Sequence, residues 1–89
     1  MTRDEALQRI AQARAACGAM LGQGILDAEV NTSIRILDAM TAAVTQAWPL
    51  DAAGFATVVV GRYAARSFEE PEYGTLSALL SELDWDLKY

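Results

Sequence analysis

Asp51-Ala52-Ala53-Gly54-Phe55-Ala56-Thr57-Val58-Val59-Val60-Gly61-Arg62-Tyr63-Ala64-Ala65-Arg66-Ser67 is the stretch on which the fold class turns. Its middle, from Phe55 to Gly61, is rich in β-branched side chains, which suit a buried strand. Asp51, by contrast, is a good N-cap for a helix that starts at Ala52. No second β-like run occurs elsewhere in the chain, and a lone strand leaves its backbone N–H and C=O groups unpaired. The helical reading, over 52–67, is therefore the consistent one, with a strand over 55–61 as its alternative. On a helical wheel the segment is apolar nearly all round, and Arg62 and Arg66, four apart, give it one charged edge. A helix of that kind is either central in a bundle or shared with a second molecule.

Working outward, the residues on either side read as helices. Leu26, Val30, Ile34, Leu37, Met40, Val44 and Trp48 share one face, and Pro49 ends the pattern because the residue before a proline is pushed out of the α region. This predicts a helix over about 26–47, with Trp48 buried on the core side. Towards the N-terminus, Thr2 and Glu5 have capping-box spacing. Ala6, Leu7, Ile10, Ala13, Cys17, Met20 and Leu21 then form a stripe, and Gly22-Gln23-Gly24 offers a left-handed stop. The first helix is expected over 3–21. On the C-terminal side, Pro71 and Gly74 punctuate a polar loop, and Thr75 is placed to cap a last helix over 75–86 with Leu76, Leu79, Leu80, Leu83 and Leu87 on one face. The sum is an all-α fold: a small bundle of about four helices in a single domain over 1–89.

Composition bounds what such a domain can do. The chain is 53% hydrophobic and 21% charged, too apolar for a disordered segment. Its 89 residues fit one domain, which buries roughly 60–65% of its unfolded surface. Apolar runs are too short to cross a membrane, and Met1-Thr2-Arg3-Asp4-Glu5 lacks the layout of a signal peptide. A single cysteine forms no internal disulfide, so a reducing, cytoplasmic setting is expected. Six arginines against one lysine, with 17 alanines, are what GC-rich coding gives and point to a bacterial or phage source.

Charge is distributed unevenly. Residues 1–68 hold six acids and six arginines; residues 69–89 hold six acids against Lys88 alone, and so carry the whole net charge of −5. Such asymmetry steers a basic partner. The absence of histidine removes the commonest general base and metal ligand. Cys17 lies within an apolar stripe, where it reads as a core residue. No phosphate-binding glycine motif is present. Glu69, Glu70 and Glu72 match no calcium-loop spacing and read as a solvated loop. Gly18 and Gly22 have the spacing of a close helix approach, which in this setting reads as a helix end. The expectation is a non-enzyme with no cofactor and no metal site. Scattered arginines make direct nucleic-acid binding improbable.

What remains is a surface for a protein partner. Trp85 falls roughly opposite the leucine face of the last helix, flanked by Asp84 and Asp86 with Glu82 one turn back. An aromatic ringed by acids fits an interface anchor with electrostatic steering around it. The competing reading is a helix that frays near residue 84, with Trp85 folded back onto the bundle. The expected partner-binding set is Glu69, Glu70, Glu72, Tyr73, Glu82, Asp84, Trp85 and Asp86. The expected function is binding, and inhibition, of a basic macromolecule, as an immunity protein, antitoxin or phage anti-defence factor does. The alternative is a homodimeric structural or accessory subunit that associates through the apolar 52–67 helix.

Overall fold

The computed structural model describes residues 1–22, 26–56, 59–68 and 71–87, with the side chain of Glu72 left out. It is an all-α bundle, and no strand occurs among the described residues. Helix α1 runs Arg3–Met20 and opens on the expected capping box: the Glu5 amide donates to Thr2 Oγ1 at 3.2 Å and the Thr2 amide to Glu5 Oε1 at 3.0 Å. Those bonds favour the ionised form of Glu5 and hold its carboxyl below the usual range. The helix ends one residue earlier than its periodicity suggests, and Gly22 follows with φ at +91°, a backbone region that suits glycine.

Helix α2, Asp27–Gln46, is the spine. Val30, Leu37, Met40 and Val44 are fully buried on one face, and Ser33 sits among them with its hydroxyl donated to the Glu29 carbonyl at 3.1 Å. The α1–α2 pair is antiparallel, as three links along it require. The Gly22 amide donates to Asp27 Oδ1 at the turn, Arg14 pairs with Asp38 at 2.8 Å further along, and Trp48 Nε1 donates to the Met1 carbonyl at 3.2 Å at the far end. Trp48 is half-buried and packs on the core, so its indole is both a hydrophobic plug and a clasp on the N-terminus.

The segment 52–67 is not one helix. Asp51 caps α3, Ala52–Ala56, through Oδ1 and the Gly54 amide at 2.7 Å, as its position suggests. Val59 is extended at φ −75° and ψ 110°, and α4 runs Val60–Ser67. A continuous helix would bond the Val60 and Gly61 amides to the carbonyls four residues back. Instead both amides donate to the carboxylate of Asp84, on the last helix. A tertiary acceptor replaces the local ones, and that makes the break affordable. The β-branched run favours it too, since valines lose χ1 freedom in a helix. Val60, Gly61 and Ala64 turn inward, so this part of the segment is packed within the bundle.

After α4, Phe68 is buried and stacks on Tyr73 with ring centroids 5.4 Å apart and planes 11° from parallel, while Tyr63 meets Phe68 edge-on. Tyr73 closes a short 3₁₀ turn, Pro71–Tyr73. Helix α5 follows at once as Gly74–Leu87, so Thr75 lies inside the first turn instead of capping it. Leu76, Leu80, Leu83 and Leu87 form its buried stripe, each contributing about 1.5–3 kcal/mol. The result is an elongated body of 36 × 19 × 18 Å, with α1 and α2 packed lengthwise and α4 and α5 laid against them.

Candidate functional site

The contact between α4 and α5 is set by a glycine. A Cβ placed on Gly61 would stand 2.8 Å from the backbone Cα of Ser81 and 2.6 Å from Asp84 Oδ2. Only a residue without a side chain lets the two backbones come this close. The approach lets Asp84 reach the start of α4, where Oδ1 accepts from Val60 at 3.2 Å and Oδ2 from Gly61 at 2.5 Å. Asp84 is 8% exposed. Burial pushes its carboxyl above the usual range, and the amides of Gly61, Val60 and Arg62 together with the Arg62 charge oppose that shift without cancelling it.

Beside this junction lies an open groove of about 270 Å³. It is lined by Phe55 and Val59, by Arg62 and Ser81, and by Trp85, with Gly61 and Asp84 of the junction. Trp85 is 74% exposed, the most exposed of the large apolar side chains in the described structure. The last helix is intact through Leu87, so Trp85 is carried on a regular helix and turned away from the core, as its register predicts. Glu82, one turn back, is exposed as well.

The other members of the expected set go elsewhere. Tyr73 is fully buried against Phe68, and its hydroxyl finds no partner among the described residues, so it is a core aromatic and no part of a contact surface. Asp84 is likewise corrected: it faces α4, and both of its oxygens serve backbone amides. Asp86 is exposed and pairs with Arg9, tying α5 to α1. Glu69 and Glu70 lie outside the described residues, as does the side chain of Glu72. Among the described members of the set, Glu82, Trp85 and Asp86 stand exposed on α5, and of these Asp86 is engaged by Arg9.

The groove is not legible in the sequence, because the apolar pattern places Phe55 and Val59 in one unbroken helix and the structure does not. The inward turn of Asp84 was legible. It lies four residues after Leu80 and eight after Leu76, in the same row as two buried leucines. Catalytic groups are sparse here. The acid in the groove is engaged by amides, and Cys17 is fully buried on α1 with its thiol pushed up to about 11 by desolvation. Among the described residues, no three His, Cys, Asp or Glu side chains come together as metal ligands do. No helix among them is long and apolar enough to cross a membrane. No protein-family model, no curated protein and no solved structure matches this chain.

Proposed function

We propose that this is a non-catalytic interaction protein that binds and inhibits a macromolecular partner with a basic surface, and that the outer face of α5 is its point of contact. The observation that carries the proposal is Trp85, 74% exposed at the edge of a 270 Å³ groove. Large exposed aromatics next to a cleft are the residues around which protein interfaces concentrate their energy. Glu82 beside it and the formal charge of −5 supply long-range attraction for a basic surface. With Asp84 buried and Asp86 paired to Arg9, the anchor is aromatic first and acidic second.

The test is affinity capture from extracts of the native host with wild-type protein, Trp85→Ala and Glu82→Lys, at low and high salt. The expected result is a captured protein that is lost with Trp85→Ala and retained less well with Glu82→Lys or at high salt. An interface anchor of this kind costs about 2 kcal/mol or more when truncated. Equal capture by Trp85→Ala and wild type overturns the proposal.

A further inference from the structure

The surface around Trp85 has a second property, which follows from the order of side chains across it. On α5, Glu82 lies on the side of Trp85 away from α4, and Ser81 and Asp84 lie on the side towards it. On α4, Gly61 faces α5, and Arg62 and Arg66, four residues apart and both exposed, lie on the outward side. Crossing from α5 to α4 therefore meets an acid, then Trp85 and the groove, then two arginines. Among the described residues the ion pairs are Arg9–Asp86 and Arg14–Asp38, and neither Arg62 nor Arg66 takes part in one. A patch with an acidic edge and a basic edge about an apolar centre is complementary to itself under a two-fold rotation, because the rotation lays each basic edge on the other copy's acidic edge.

We propose that a second copy of this chain occupies this groove, with the two copies related by a two-fold axis. Trp85 of each copy enters the groove of the other between Phe55 and Arg62, where a guanidinium against an indole face adds cation–π attraction. Glu82 of each copy meets Arg62 and Arg66 of the other. A standard interface takes roughly 800 Å² from each partner, about a sixth of the 5173 Å² this chain exposes. Exposed Ala52, Ala53 and Ala56 of α3 extend the patch beyond the groove. The inference rests on reading the Trp85 face as an interaction surface, and it names an occupant for that face when no other partner is bound.

The test is the mass in solution, by light scattering behind a sizing column, from micromolar to sub-millimolar concentration. Wild type is expected to rise with concentration towards twice the chain mass of 9.6 kDa. Arg62→Glu sets acid against acid across the axis and Glu82→Arg sets arginine against arginine. Each is expected to weaken self-association by about tenfold or more while keeping the far-ultraviolet circular dichroism of wild type. An equimolar mixture of the two variants is expected to recover the dimer, since each supplies the charge the other lacks. Recovery on mixing also excludes misfolding as the cause of the loss. A monomer throughout the range overturns the inference, as does a dimer indifferent to Arg62→Glu, Glu82→Arg and Trp85→Ala. Equal capture of a host protein by Trp85→Ala and wild type would instead overturn the functional reading, and the two failures are separately visible.

Discussion

The carboxylate of Asp84 stands where a continuous helix would have put two backbone carbonyls. Its two oxygens take the amides of Val60 and Gly61, and without them α4 begins on two buried donors with no acceptor. In Asp84→Asn one of those amides faces an NH₂ group, a cost of about 1–3 kcal/mol, read as a lower urea midpoint. The variant also changes the pH dependence. Because burial raises the Asp84 pKa above its ordinary 3.8, the folded protein holds a proton through a window in which the unfolded chain has released it. The contribution of this group is therefore full below 3.8, declines as pH rises through the window and is constant above it. Subtracting the Asp84→Asn profile from that of wild type is expected to leave this slope. A difference that rises with pH contradicts the assignment. The residue was read from sequence as an acid flanking Trp85. Charge suggested the surface, and the row it shares with Leu76 and Leu80 decides for the interior.

At the scale of elements, the junction of α4 with α5 depends on Gly61 as much as on Asp84. A methyl at position 61 meets the backbone of α5 at 2.8 Å, and backbone cannot rotate aside as a side chain can. Gly61→Ala is expected to cost about 1–3 kcal/mol in thermal or urea unfolding, although alanine favours helices, so the loss runs against propensity. Unchanged or raised stability would show that the helices are not this close. The long amphipathic helices were legible almost to the residue. Their stripes recur over five or more turns, and a capping box, a positive-φ glycine and a proline mark where α1 and α2 begin or end. The third segment was legible in its cap at Asp51 but not in its interruption. Its apolar residues fit one helix or one strand equally, and the deciding partner, Asp84, comes from twenty-odd residues further along. Local pattern does not record an acceptor that arrives from another element.

At the scale of the whole molecule, charge and shape divide the labour differently from their distribution along the sequence. The C-terminal segment carries the net charge of −5, yet the fold draws Asp84 inside and pairs Asp86 with α1. Exposed near the end of α5 are Glu82, Trp85 and the paired Asp86, and Trp85 shares its groove with Arg62 of α4. The functional account depends on that placement, and the alternative is an indole folded back onto the bundle. The most direct test is the fluorescence of Trp85 in a Trp48→Phe background, at high dilution, with acrylamide as quencher. The account predicts emission at the long wavelengths of a water-exposed indole and quenching close to that of free tryptophan. A blue-shifted emission shielded from acrylamide would contradict it.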